Sequence, residues 1–322
     1  MIVTEIYRGS GLGNQIWNLV VSRILAHRHG YKWGVMKTTP FKAKNFMPDF
    51  YFGEEVIGGS TPREGQQPAV LPQGIKHYIR ENAVPLPICG GHDAQFFDPA
   101  LWYNLPDNSK IDGLFQNLQY LDGQKDSVRK WLKTNLDVRD YCDDDICVIH
   151  FRGGEYLITT AWLEPKFYEN ARDRMLEHNP NMKFVVVTDD PANANKFIPW
   201  AKVVGATTLK EQEDIEQGTG FFKYKGGNIG VDWSILYNAR NVIMSASTFS
   251  FWPVWTSEEV KKVIAPKYWF DHKTSTGWWR GDDIIVREWD YIDTQGNIMS
   301  GPECQKEYDL YRLNNPYYTL ER

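Results

Sequence analysis

Cys147-Val148-Ile149-His150-Phe151-Arg152-Gly153-Gly154-Glu155-Tyr156 is the stretch whose reading decides the fold. It opens as an apolar run with a single histidine, which reads as a buried strand, and passes directly into a polar turn with two adjacent glycines. In an open α/β sheet, ligands bind beyond the carboxyl ends of the strands. This strand delivers a histidine, an arginine, two glycines and a glutamate to that place. The guanidinium is a rigid fork of donors matched to phosphate oxygens, and paired glycines let a ligand approach the backbone closely. The segment therefore reads as an anion site, most simply for a nucleotide diphosphate.

Downstream of it the pattern alternates. A strand at Ile146–Phe151 is followed by a helix from Pro165 to about His178, with Phe167, Tyr168, Ala171 and Met175 on one face and Asn179-Pro180 at its end. Next come a strand at Lys183–Thr188, a short helix at Pro191–Phe197 and a short strand at Lys202–Val204. A helix over 231–240, a strand over 242–246, a helical turn over 249–256 and a strand over 262–265 complete the run. Strands alternating with helices imply a parallel, doubly wound sheet. Upstream, residues 2–8 read as a strand and Gly9-Ser10-Gly11-Leu12-Gly13-Asn14 as a loop. Ile16, Trp17, Val20, Val21, Ile24 and Leu25 recur at helical spacing until Gly30 stops the helix, and a strand follows near Trp33–Met36. Residues 37–110 lack strong periodicity, and a helix over 123–136 closes the first domain. In the segment 276–322, Ile284-Ile285-Val286 and 289–292 flank the turn-rich Asp293-Thr294-Gln295-Gly296-Asn297. It reads as an irregular, aromatic-rich, hairpin-bearing tail that packs back over the domains. The expected division is 1–140, 141–275 and the tail 276–322.

With 322 residues there is room for two domains. A composition of 42% hydrophobic and 24% charged residues is globular. The net charge of −5 argues against a nucleic-acid partner, so local arginines must hold any phosphate. The 13 tryptophans supply core and, where exposed, sugar-facing surface. Cys89, Cys142, Cys147 and Cys304 are scattered without zinc spacing, and Cys147 fits a small apolar filler in its strand. Ile2-Val3-Thr4-Glu5-Ile6 carries no basic and apolar leader, and no apolar run reaches about 18 residues. No signal peptide or transmembrane segment is expected, which points to a cytoplasmic protein.

Several constellations have alternative readings. The glycine loop between a first strand and a first helix has phosphate-binding geometry. A dinucleotide fingerprint would need a third glycine where Asn14 stands and an acid about 20 residues on, where Lys32-Trp33-Gly34 lies. The bland reading is a tight turn with Asn14 capping the helix. Thr188-Asp189-Asp190-Pro191 could contact a nucleotide or cap the helix that starts at Pro191. Asp143-Asp144-Asp145 has Asp-x-Asp spacing but precedes a strand, so it reads as a solvated turn. From Asp232 to Arg240 the chain reads as a helix, followed by the strand Val242-Ile243-Met244-Ser245-Ala246. Ser247-Thr248-Phe249-Ser250-Phe251-Trp252 then turns into the next helix with three hydroxyls, where capping needs one.

Three of these segments resemble the alpha-1,2-fucosyltransferase family: His-x-Arg-x-Gly-acid-Tyr at 150–156, Gly11-Leu12-Gly13-Asn14-Gln15, and the Asp–helix–strand–Ser-Thr-Phe-Ser-x-Trp order over 232–252. The resemblance covers roughly 5–30 and 145–265. It implies a GT-B-like α/β fold, two Rossmann-like domains facing a cleft, with the acceptor side in the first and the nucleotide sugar in the second. It implies an inverting fucosyltransferase that moves fucose from GDP-fucose to a hydroxyl of an acceptor glycan, with no metal or other cofactor. Arg152 then grips the diphosphate as it leaves, and Glu155 is the second catalytic candidate. His150, Arg152, Gly154, Asp232, Ser247, Thr248, Phe249 and Ser250, with Gly11 and Asn14, form the donor-binding set. Animal Golgi fucosyltransferases carry a membrane anchor; none is visible here, which fits a bacterial or viral type or a trimmed chain.

Two positions depart from the family pattern. Gly153 replaces the usual second arginine, and Arg8 is one basic residue that could stand in. Glu155 replaces the usual aspartate; it could act as base for the acceptor hydroxyl, or brace Arg152 or a loop N–H. The alternatives are a transferase of the same fold using another GDP-hexose, and a non-catalytic glycan-binding protein whose binding would survive Arg152→Ala.

Overall fold

The structure is a computed structural model that describes residues 1–7, 9–59, 70–81, 83–85, 93–205, 229–279 and 284–315. Arg8 lies outside these residues. The chain forms two compact units, one built mainly on Met1–Lys133 and the other on Thr134–Arg280 with Ile285–Arg322.

The first unit carries a parallel sheet of β1 (Ile2–Glu5), β2 (Trp33–Met36), β3 (His77–Arg80) and, after the short antiparallel pair β4 (Ala83–Pro85) and β5 (Asp93–Gln95), β6 (Ser109–Asp112). The order is β2-β1-β6-β3, with Ile2 opposite Trp33 on one side of β1 and Ser109 on the other. The crossover from β1 to β2 is α1 (Leu12–Arg28), and the shorter α2 (Pro99–Asn104) and α3 (Lys125–Trp131) follow later. α1 is buried on nearly every side, which its apolar run explains. Two of the polar residues along it are satisfied: Gln15 Nε2 donates to the Pro40 carbonyl at 3.0 Å, and Ser22 Oγ accepts from Trp33 Nε1 at 2.9 Å. Gly30, at φ 69°, ends the helix; Tyr31 N and Gly30 N close back on the Ala26 and His27 carbonyls at 2.8 and 3.1 Å. The N-cap is Gly11, not Asn14, and no side chain caps it. Asn14 lies inside the first turn, where its Oδ1 accepts from Gln116 Nε2 at 3.1 Å.

In the second unit β7 (Ile146–Phe151), α4 (Pro165–His178), β8 (Lys183–Thr188), α5 (Pro191–Phe197) and β9 (Lys202–Val204) step outward in one direction. After α6 (Ile229–Asn238) the chain returns beside β7 as β10 (Asn241–Ile243), and α7 (Thr248–Thr256) leads to β11 (Lys262–Pro266). The order β13-β12-β11-β10-β7-β8-β9 contains the doubly wound arrangement in which the first strand lies centrally and the sheet grows away on both sides. The topological switch point lies between β7 and β10. Alternation along β7 sends Cys147, Ile149 and Phe151 into a core with Phe167, Tyr168, Ala171 and Met175, and turns His150 to the opposite face. Burial pushes the Cys147 thiol well above its ordinary pKa, in keeping with an apolar filler.

The last part of the chain joins this sheet. β12 (Asp290–Ile292) pairs parallel to β11, and β13 (Ile298–Ser300) pairs antiparallel to β12 across the Asp293–Asn297 turn. The hairpin arms are therefore β12 and β13. Ile284-Ile285-Val286 is buried without strand pairing, held where Tyr291 Oη accepts from Val286 N at 2.6 Å. α8 (Gly301–Asn314) was not expected, because it buries little beyond Gly301, Cys304 and Tyr308 and so shows no apolar stripe. Its start was legible: Ser300 and Glu303 form a capping box with Pro302 in the first turn. Asp143-Asp144-Asp145 lies before β7, where Asp144 pairs with Arg240 and Lys261 and Asp145 with Lys183. Among the described residues no helix is long and apolar enough to cross a membrane.

Candidate active site

The two motifs that stand out in the sequence lie on the two strands that flank the switch point. β7 ends at Phe151 and releases Arg152-Gly153-Gly154 into a 3-10 turn, Gly154–Ile158. β10 ends at Ile243, and Ser247 N-caps α7 four residues later, its Oγ accepting from Phe249 N at 3.3 Å. His150 joins them: its Nδ1 lies 2.6 Å from Ser245 Oγ, and its ring centroid is 6.0 Å from that of Phe249. Phe249 in turn meets Trp233 of α6 edge-on at 6.0 Å. Burial, and then the nearby Arg152, lower the His150 pKa to about 3, so the imidazole is neutral at pH 7.

Arg152 is held between two carboxylates. Its Nη1 donates to Asp189 Oδ2, its Nη2 donates to Glu155 Oε1, and its guanidinium lies 5.0 Å from the Tyr156 ring centroid. Burial opposes the charge, but Asp189 and then Glu155 outweigh it and raise the arginine pKa. The two carboxylates differ in freedom. The Asp189 side chain is 8% exposed and also accepts from Gly153 N at 2.9 Å, whereas the Glu155 side chain is 45% exposed. Burial raises the Asp189 pKa, and Arg152 and the Gly153 N–H oppose that rise without cancelling it. Asp190 caps α5: it accepts from Asn193 N at 3.2 Å and from Gly154 N at 3.1 Å. Of the two readings for this acidic pair, capping holds for Asp190, while Asp189 belongs to the arginine.

Gly153 has a packing reason. A Cβ there would lie 2.4 Å from Asp190 Cβ and 2.7 Å from Asp190 Oδ2, so the arginine usual at this position has no room while Asp190 stands. Gly154 is at φ 54°, a conformation that favours glycine.

The predicted residues fall into three groups. His150, Arg152, Gly154, Glu155, Ser247, Thr248, Phe249 and Ser250 come together at the switch point. Two of the three hydroxyls serve α7 itself, since Ser247 caps it and the fully buried Ser250 Oγ donates to the Ser247 carbonyl at 3.1 Å. Asp232 is buried in the first turn of α6, against the glycine that follows β9: a Cβ on Gly205 would be 2.2 Å from Asp232 Oδ1. It stands along the same carboxyl edge, towards β9. Gly11 and Asn14 belong to the first unit. Gly11 is exposed, has nothing within 4 Å of a built Cβ and carries an ordinary negative φ, so neither packing nor conformation demands a glycine there. Sequence reading missed Ser245, a buried serine between Met244 and Ala246, and gave no reason to prefer Asp189 to Asp190. Among the described residues no group of three or more His, Cys, Asp or Glu side chains is placed to hold a metal ion.

No protein-family profile matches the chain. It is 26% identical over 176 residues to an alpha-1,2-colitosyltransferase from Escherichia coli, an alignment that spans 50% of this chain and 56% of that relative. The chain thus spans little more than half the length of the curated relative it matches. Among solved structures it is similar to NodZ alpha-1,6-fucosyltransferase soaked with GDP-fucose, with a TM-score of 0.40, 14% identity, and coverage of 82% of this chain and 94% of that one. The same enzyme co-crystallized with GDP gives a TM-score of 0.36 at 13% identity and the same coverage. The curated match supports the fucosyltransferase-like resemblance that the motifs of this chain carry.

Proposed function

We propose that this protein is an inverting glycosyltransferase that moves fucose from GDP-fucose to a hydroxyl of an acceptor glycan, with alpha-1,2 linkage. The observation that carries the reading is Arg152 at the switch point of a doubly wound sheet, beside a buried neutral histidine and the N-terminus of α7. In this reading the acceptor hydroxyl oxygen attacks C1 of the sugar, the C1–O bond to the diphosphate breaks with its electrons on the departing GDP, and the hydroxyl proton passes to solvent. A guanidinium held in place by Asp189 meets that charge once Glu155 has left it. His150 packs near the guanine and Asp232 accepts from its edge. The contact of Glu155 with Arg152 supports the bracing role over that of base. As the resemblance implies, turnover is expected to need no metal, so EDTA should leave the rate unchanged.

A second donor is favoured by one observation: the curated relative is a colitosyltransferase, so a colitosyl donor is the first alternative to fucose. Thermal unfolding with GDP, UDP, ADP and CMP, on the wild type and Arg152→Ala, tests the reading. A ligand at about 100 times its Kd adds roughly 2.7 kcal/mol to the native state. A GDP-selective shift that Arg152→Ala abolishes is expected, followed by release of GDP from GDP-fucose in the presence of acceptor. Equal response to all four nucleotides, or none to any, would sink the proposal.

A further inference from the structure

His150 and Ser245 meet across the switch point, the first on β7 and the second two residues beyond the end of β10. The backbone fixes the serine: Met244 N donates to the Ile264 carbonyl at 2.9 Å, and Ser247 N donates to the Ser245 carbonyl at 2.8 Å. The hydroxyl is the part left free to turn, and its one hydrogen-bond partner among the described residues is His150 Nδ1, at 2.6 Å. A buried histidine bonded to a serine is often no more than a satisfied core pair. This one is satisfied on one side only. His150 is 4% exposed, yet no described residue forms a hydrogen bond with its Nε2. A buried ring nitrogen without a partner calls for one, and at the carboxyl edge of the sheet a ligand can supply it.

The direction of the Ser245 bond follows from counting protons. A neutral imidazole carries one N–H and the hydroxyl carries one O–H. If Nδ1 held the ring proton and donated to Oγ, the hydroxyl proton would be left without an acceptor in a serine that is 2% exposed, and Nε2 would be a bare acceptor. If the hydroxyl donates to Nδ1, the one proton left over lies on Nε2, at the tip of the ring, where a ligand can accept it. We propose that Ser245 is a positioning residue: its Oγ–H donates to His150 Nδ1, fixes the tautomer, and leaves Nε2–H as a neutral donor to an uncharged acceptor atom of the guanine base. The rings of Phe249 and, behind it, Trp233 stand beside His150 and give a planar ligand an apolar wall. Burial, and then Arg152, keep the imidazole uncharged. A neutral donor suits an uncharged oxygen or nitrogen, whereas the phosphates call for the charged fork of Arg152 two residues on. The base as partner rests on the transferase reading; the tautomer does not.

Nitrogen-15 NMR of the full chain, labelled at its 7 histidines, reads the tautomer without ligand, with His150 assigned by the signals that His150→Phe removes. A proton on Nε2 and an accepting Nδ1 are expected; a proton on Nδ1 overturns the proposal. Calorimetric titration with GDP reads the consequence. Ser245→Ala should weaken GDP about two- to tenfold, as the loss of one neutral hydrogen bond implies, and Ser245→Thr, which keeps the hydroxyl, should recover affinity. In a chain that already carries His150→Phe, Ser245→Ala should cost nothing further, because the serine acts only through the ring. Unchanged GDP affinity in Ser245→Ala, or a loss of the same size with and without the imidazole, overturns the role. No response to GDP in the wild type would remove the transferase reading and the base as partner, and the NMR tautomer alone would then decide the Ser245 bond.

Discussion

Replacing Glu155 with glutamine separates the roles its contact with Arg152 leaves in competition. The carboxylate occupies Nη2 of the guanidinium that is to receive a diphosphate, and its side chain is 45% exposed. Two like charges about 4 Å apart repel by about 1 kcal/mol in water and by about 4 kcal/mol at an effective dielectric of 20. Glu155 is close to half in solvent, so screening places the effect near the lower figure. Removing its charge should therefore tighten GDP binding by about 1 kcal/mol, or about fivefold in Kd. Calorimetric titration with GDP at low and high salt reads this, and the gain should shrink as salt rises. If Glu155 were instead the base, glutamine would leave GDP affinity alone and lower kcat by about 10²- to 10⁴-fold. Weaker GDP binding in Glu155→Gln would refute the argument, since it would make the carboxylate a partner of the nucleotide and not its competitor.

Asp189→Asn should act in the opposite direction, loosening GDP binding in the same titration, because Asp189 fixes Arg152 while accepting from Gly153 N. Gly153→Ala should cost about 1–3 kcal/mol in urea unfolding, since its Cβ meets Asp190, and part of the loss should return when Asp190 is also shortened to glycine. Gly205→Ala, at φ 92° and against Asp232 Oδ1, should destabilise by a similar amount, of order 1–3 kcal/mol, and an unchanged urea midpoint would count against the observed packing. His150 has its folded pKa lowered to about 3 from 6.5, so its contribution is complete above about pH 6.5 and is lost as pH falls towards 3. Below pH 6.5 its limiting slope is about 1.4 kcal/mol per pH unit. The measured slope between pH 6.5 and 5 should be shallower in His150→Gln, with His272, lowered to about 4, supplying part of what remains.

The second unit was legible because its signals are local. β7, β8 and β9, α4 and α5 fall where apolar runs, Pro165 and Pro191 place them. A doubly wound sheet brings the ends of its first strand and of the strand that returns beside it to one place, so motifs almost a hundred residues apart became one site. What stayed hidden depends on pairing across the chain. Pro191 at the first helical position marks Asp190 locally as the cap of α5, but only the register of β8 beside β7 sets Asp189 against Arg152. Ser245 is an unremarkable serine until it meets His150. Residues 37–110 showed no period because β3 is largely exposed and the connections are long, so the ion pairs of the buried Lys110 with Glu5 and Asp112, assembled from β1 and β6, left no trace in spacing.

The two departures from the family pattern form one linked arrangement. With the usual arginine at 153, a second cation would stand beside Arg152. Here Asp190 fills that space, and Gly153 offers its N–H to Asp189 in place of a side chain. Among the described residues Arg152 then faces Asp189 and Glu155, one positive charge against two negative ones, so this described part of the cradle is net negative. A site in that state does not attract a diphosphate by charge; it must shed a carboxylate first. Asp189 is packed and doubly bonded, whereas Glu155 is exposed and reaches Arg152 on an arm one methylene longer than the usual aspartate. Glu155 is therefore the group that leaves, and Glu155→Asp, on the shorter arm, should recover much of the GDP affinity that Glu155→Gln gains.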